Sequence, residues 1–304
     1  MASHQDHSHT DHFNTHNRSF AIAVILNLAF VVIEAVYGLL SGSLALLADA
    51  GHNLSDVMGL IMAWVASWLA SKGASYSKTY GLKKTTILAA LFNALILIAA
   101  VGGITWEALQ RLTSSADVAG LTVIVVAGIG VLINGATMML FLKGQKGDIN
   151  IRGAFLHMAA DTVVSVGVVI SGTIIMLTNL NWIDPVVSLV IAAVIFAGTW
   201  RLLKDSINLA VDAVPKGIEP RAVHERLEAL PGVNSAHHLH IWALSTTENA
   251  LTVHLVKPDP AGDDHLINSV SKMLAHEFNI QHTTIQWERG DSECPNTIHC
   301  HAKN

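Results

Sequence analysis

Charge is scarce in this chain of 304 residues, at 13%, and cysteine is scarcer, at two. With 51% hydrophobic residues and a mean hydropathy of +0.46, so little charge excludes a soluble globular protein of this length and leaves a chain that lives in a lipid bilayer. Cys294 and Cys300 both fall in the closing stretch CPNTIHCH, which excludes a disulfide framework. In a reducing cytosol they read instead as thiolate ligands for zinc. Residues 1–19 lack the apolar centre of a cleavable signal sequence. They hold His4, His7, His9, His12 and His16 with Asp6 and Asp11, and read as a disordered tail that gathers metal weakly. The HExxH string of metal-dependent hydrolases is also missing, which argues against an enzyme. Nothing in the composition points to nucleic acid, since the formal net charge is -5.

What the chain does have is long apolar runs. Six of them, at 20–40, 44–70, 85–109, 118–142, 154–177 and 182–201, are near or above the ~20 residues that cross the hydrocarbon core. The segment after the second run carries Lys72, Lys78, Lys83 and Lys84, and the one after the fourth carries Lys143, Lys146 and Arg152. The alternate loops hold little beyond Arg111, so the basic loops and both termini face the cytoplasm. After Arg201 the composition becomes that of a soluble domain. The runs PRAVHERLEAL, HLHIWAL, ALTVHLV, HLINSVSKMLAHEF and HTTIQWE read as helix, strand, strand, helix, strand. The expected organisation is a tail over 1–19, an all-α six-helix transmembrane bundle over 20–205, a cytoplasmic α+β domain over 206–290, and a flexible Cys/His tail over 291–304.

Within the apolar runs one pattern occurs twice: HNLSD at 52–56 and HMAAD at 157–161. Residues four apart share a helix face, so each string presents an imidazole and a carboxylate to one side. Two such faces make a four-donor cage of two nitrogens and two oxygens from His52, Asp56, His157 and Asp161, which suits Zn²⁺ without a thiolate to retain it. The second and fifth runs cross in opposite directions, so packing them side by side sets His52 level with Asp161 and Asp56 level with His157. Two carboxylates neutralise a divalent ion, and ligation needs neutral imidazole and ionised carboxylate. Zinc release is thereby linked to proton uptake, and H⁺ is the natural counter-ion. Asp49, one turn before His52, is an accessory residue that could tune the cage or relay protons; Asn27 and Glu34 share a face of the first run. Gly102, Gly103, Gly128 and Gly130 offer close helix approach.

The strings LADAGHNLSD from Leu47, ILAALFNALIL from Ile87, HMAAD, the Asp184–Pro185 pair, LHIWAL and LTVHLV together resemble the cation diffusion facilitators, the zinc/proton antiporters, over almost the whole chain. The resemblance implies a homodimer exporting zinc, a metal cage between the second and fifth helices, and a ferredoxin-like cytoplasmic domain. The compact loops and the lack of a targeting sequence point to a bacterial inner membrane, and Cd²⁺, Co²⁺ and Ni²⁺, which also take nitrogen and oxygen donors, are expected as further substrates. His237, His254 and Glu288 match the family's regulatory zinc positions, with His282 also matching and His265 a weaker match. The residues themselves place His237 and His254 on two strands that could be neighbours, with Glu288 ending the third. Lys84 and Asp212 match a charge pair that joins membrane and soluble parts in the family. Removing residues 1–17 is expected to leave transport at saturating zinc unchanged, and a flux assay on the truncated chain checks this.

Overall fold

The computed structural model describes residues 11–113, 117–142 and 149–290, excepting the side chains of 11–24, 26, 60, 63, 64, 67, 140, 141, 149–154 and 157. Six long helices come first: α1 (Asp11–Ser41), α2 (Leu44–Ala70), α3 (Thr85–Thr113), α4 (Gly120–Phe141), α5 (Ile149–Thr178) and α6 (Ile183–Ala210). Among the described residues, four of them, α3 to α6, contain stretches long and apolar enough to cross a membrane, and α1 adds a shorter apolar stretch, Asn27–Ser41. Large side chains point outward, with Leu132 at 72%, Val163 at 71% and Leu177 at 73% exposure, while the interior holds Ala45, Ala48 and Ala127 at 0%. Such an inside-out distribution is what lipid requires, since apolar surface there has no water to avoid and helices associate by close packing.

Two chain boundaries differ from expectation. α1 starts at Asp11, inside the stretch expected to be disordered, because a helix already nucleated in the membrane propagates outward at one hydrogen bond per residue. α6 runs past the expected domain boundary at 205 to Ala210, since RLLKDSINLA contains no breaker. It ends where Asp212 turns left-handed at φ 60° and the Ala213 N–H bonds Asn208 O at 2.9 Å, just ahead of Pro215.

The close helix approach uses different glycines from most of those read in the sequence. A Cβ on Gly120 would lie 2.8 Å from Gly172 O, which lets α4 and α5 cross at backbone contact, and one on Gly130 would lie 2.7 Å from Phe30. Gly102, Gly103 and Gly128 have no neighbour within 4 Å and face open space.

At the outer end of the bundle the start of α2 is held by another helix. Ser43 Oγ accepts from Leu46 N at 3.2 Å as an N-cap, and Asp184 of α6 accepts from the Ser43 hydroxyl at 2.5 Å and from Leu44 N at 2.6 Å. The first backbone donors of α2 are thus met by two fully buried side chains, and the positive end of the helix dipole sits on a carboxylate. Gly42 makes the preceding turn at φ 67°, where Arg111 donates to its carbonyl at 2.5 Å.

The C-terminal segment follows the expected order: α7 (Pro220–Glu228), β1 (Ser235–Ala243), β2 (Asn249–Val256), α8 (Asp263–Phe278) and β3 (His282–Glu288). The sheet runs β1-β2-β3, with β1 antiparallel and β3 parallel to β2. Its core is Val223 and Leu227 of α7, Val270 and Leu274 of α8, and Leu251, Val253 and Leu255 of β2. The chain divides into two compact units, Met1–Ile61 with Asn93–Trp200, and Met62–Phe92 with Arg201–Asn304. The second unit therefore includes the lysine-rich turn between α2 and α3. There Lys84 Nζ meets Asp212 Oδ1 at 2.7 Å and Thr246 N donates to Thr86 Oγ1 at 3.1 Å.

Replacing Asp184 with Ala strands several α2 donors, and thermal unfolding in detergent is expected to show a loss of about 2 kcal/mol or more, with Asp184→Asn, which keeps one acceptor oxygen, losing less.

Candidate metal centre

α2 and α5 bring three of the four cage residues together. His52 Nε2 lies 3.2 Å from Asp161 Oδ1 and 3.7 Å from Asp56 Oδ2. One donor atom from each of His52, Asp56 and Asp161 fits within a 4.8 Å group. His157 stands on α5 one turn before Asp161, and its side chain lies outside the described residues. The contact runs crosswise, the imidazole of one helix against the carboxylate of the other, as antiparallel segments require. Asp161 is 1% exposed, whereas the side chains of His52 and Asp56 are 20% and 30% exposed, so the donors form a buried floor with a more open rim. A Zn²⁺ ion bonds such donors at ~2.0–2.2 Å. Imidazole and carboxylate already within hydrogen-bond range of each other need to part only slightly to admit it.

Further polar side chains are buried behind the cage. Asp49 Oδ2 accepts from Ser165 Oγ at 3.0 Å, and Ser165 is itself one turn beyond Asp161 on α5. Glu34 Oε2 of α1 accepts from Asn53 Nδ2 at 3.2 Å. Ser165 and Asn53 were not among the residues picked out in the sequence. Ser165 one turn from Asp161 and Asn53 one turn from Asp49 were the available signals for them.

A second cluster sits on the small sheet. His237 pairs with His254 across β1 and β2, and Val256 pairs with Glu288 across β2 and β3. His254 Nδ1 lies 2.8 Å from Glu288 Oε1, and His237 Nε2 lies 3.3 Å from Glu288 Oε2. The three donors fall within 4.8 Å of one another. A β-bulge between His237 and His240 puts His238 at φ 50°, which swings its ring over that of His254 at 4.9 Å between centroids. The bulge adds one residue to β1 and so re-aims an imidazole that regular alternation would send to the other face.

Two further sequence candidates stand elsewhere. His282 opens β3 beside Ala250, at the far end of the strand from Glu288, about 20 Å away at ~3.3 Å per residue. Its Nε2 lies 3.1 Å from both Glu248 Oε2 and Lys83 Nζ. The Lys83 ammonium, with His282, holds the Glu248 carboxyl below the ordinary carboxylate range. His282 thus belongs to an ion-pair cluster with Glu248 and Lys83, a strand's length from His237 and His254. His265 is exposed on α8 and lies outside both three-residue groups. Cys294 and Cys300 lie outside the described residues.

Known proteins show the same arrangement of sequence. Residues 20–209 match the cation efflux transmembrane domain and residues 215–290 the cytoplasmic domain of cation efflux proteins. The chain is 37% identical over 288 residues to the metal cation efflux system protein CzcD of Cupriavidus metallidurans, covering 94% of this chain and 91% of that one. It is 36% identical over 285 residues to the zinc transporter ZitB of Pectobacterium atrosepticum, covering 93% and 88%. It is 33% identical over 302 residues to the cadmium, cobalt and zinc/H(+)-K(+) antiporter of Bacillus velezensis, covering 98% and 96%. With a bundle, a small sheet and matches across both, the chain belongs to the cation efflux, or cation diffusion facilitator, family.

Proposed function

We propose that this chain is a membrane antiporter that exports Zn²⁺ from the cytosol in exchange for H⁺, with Cd²⁺, Co²⁺ and Ni²⁺ as further substrates, and that it is not an enzyme. The observation that carries this reading is the meeting of His52, Asp56 and Asp161 from two helices inside an apolar bundle. His157, one helical turn from Asp161, supplies the fourth donor. Two carboxylates cancel the charge of the ion, so the loaded site is held in the bilayer at far lower cost than a bare divalent cation. Neutral imidazole and ionised carboxylate bind the metal, and their protonation releases it. Alternating exposure of one site to the two sides then couples the two fluxes. The names of relatives that move zinc, cadmium and cobalt support the substrate class.

The cytoplasmic domain joins two copies of the chain and carries a metal site of its own at His237, His254 and Glu288. Its donors are half-buried and preassembled by strand register, unlike a tail ligand that must be ordered on binding. A bacterial inner membrane with both termini in the cytoplasm is the location that accords with the basic loops. The division into tail, transmembrane bundle, cytoplasmic domain and Cys/His tail, and ligation of metal by Cys294 and Cys300, belong to the same reading.

In proteoliposomes carrying zinc and pH dyes, a zinc gradient is expected to drive zinc one way and protons the other. Asp161→Ala is expected to abolish both and to weaken zinc binding by at least about 10- to 100-fold. Zinc flux without proton flux, or full flux in Asp161→Ala, contradicts the reading. His254→Ala is expected to remove cytoplasmic zinc from the solubilised protein, read as lower stoichiometry by calorimetry, while the Asp161-dependent zinc remains.

A further inference from the structure

Behind the cage two carboxyl groups meet where no water reaches. Glu34 of α1 and Asp49 of α2 are both 0% exposed, and Glu34 accepts from Asn53, one turn beyond Asp49 on the same face of α2, which brings the two carboxyls to one place. Each has one oxygen taken by a donor, Glu34 Oε2 by the Asn53 amide at 3.2 Å and Asp49 Oδ2 by the Ser165 hydroxyl at 3.0 Å. The other oxygen of each, Glu34 Oε1 and Asp49 Oδ1, has no N–H or O–H donor among the described residues. Phe30, one turn before Glu34 and 1% exposed, packs on Gly130 and closes the apolar side.

Two ionised carboxylates cannot share such a place without a cation between them, because their repulsion adds to the cost of burying each. The choice of cation follows from the donor count. Asn53 and Ser165 aim hydrogens, not lone pairs, at the carboxyls, so neither can act as a ligand while that bond is kept. Two remaining oxygens are too few for a four-coordinate zinc ion or a many-coordinate hard cation, and they are what one proton needs to bridge an acid and its base.

We propose that Glu34 and Asp49 form a separate proton site, a carboxyl–carboxylate pair that holds one H⁺ as an O–H of one group donated to the other, and that this site serves the proton side of the exchange. The assignment rests on the antiport reading above. Asp49 lies three residues nearer the outer end of α2 than His52, about 4.5 Å along the helix axis, so the pair stands between the cage and the side from which protons enter. His52 lies three residues beyond Asp49 on α2, and Asp161 lies one turn before Ser165, which bonds Asp49, so occupancy of the cage changes how firmly the pair keeps its proton. Loading the cage with a dication favours departure of the pair's proton, and emptying it favours its return.

The test uses the full chain. Infrared spectra of the solubilised protein at neutral pH are expected to show the C=O stretch of a buried protonated carboxyl, lost in both Glu34→Gln and Asp49→Asn. In proteoliposomes Glu34→Gln is expected to bind zinc as the wild type does by calorimetry while zinc-driven proton flux falls about tenfold or more. A wild-type spectrum without a band removed by these substitutions overturns the proposal, as does a Glu34→Gln protein with unchanged proton coupling. Loss of zinc binding in Glu34→Gln also overturns it, since the residue is then part of the metal site or its scaffold. Should Glu34→Gln not fold, Asp49→Asn carries the flux arm. If wild-type protein moves zinc without protons, the antiport reading fails, and the infrared band alone then decides whether the pair holds a proton.

Discussion

The cost of placing charge in a low-dielectric bundle governs this protein. A carboxylate at the centre of a membrane helix is disfavoured by about 2.5–3.5 kcal/mol on insertion scales, and the chain places Glu34, Asp49, Asp56 and Asp161 within its helices all the same. Each is met by a partner of definite chemistry. Asp161 and Asp56 lie against His52, Glu34 against Asn53, and Asp49 against Ser165. A divalent ion in the proposed cage completes the neutralisation, and protons complete it when the ion leaves. Exchange of Zn²⁺ for H⁺ is, in these terms, the alternation of two ways of cancelling the same buried charge.

The rest of the bundle keeps that charge in register. Asp184 fixes the start of α2 to α6, so the turns of α2 that carry Asp49, His52 and Asp56 begin from a held point. Gly120 and Gly172 bring α4 and α5 to backbone contact, and Gly130 admits Phe30 beside Ser165. Small residues at crossings and large ones toward lipid leave little slack around the donors. In the cytoplasmic domain the parallel pairing of β2 with β3 and the bulge in β1 do the same for His237, His254 and Glu288.

The sequence carried much of this openly, and the parts it concealed share a cause. Apolar runs and an HxxxD pair are local patterns, with periodicity written into consecutive residues, so the helices and the meeting of His52, Asp56 and Asp161 could be read directly. The order helix, strand, strand, helix, strand was legible for the same reason. Contacts set by tertiary approach were not. The glycines that matter are those at crossings, which no single-helix pattern reveals, and three of the four marked in the sequence face open space. His282 matched a family position by its place in the chain, yet strand length carries it away from His254 toward Glu248 and Lys83. Asp184 showed itself only as half of a dipeptide, because its partners lie more than a hundred residues earlier.

The central claim is that two antiparallel membrane helices share one nitrogen-and-oxygen metal site. Zinc X-ray absorption on protein whose proposed cytoplasmic ligands His237, His254, Cys294 and Cys300 have been replaced is the decisive measurement. A four-coordinate ion with only nitrogen and oxygen neighbours at about 2.0–2.2 Å is expected, with no bound zinc once Asp161 is also changed to Ala. Zinc that stays bound without Asp161, or no zinc bound at all once the cytoplasmic residues are replaced, would contradict it.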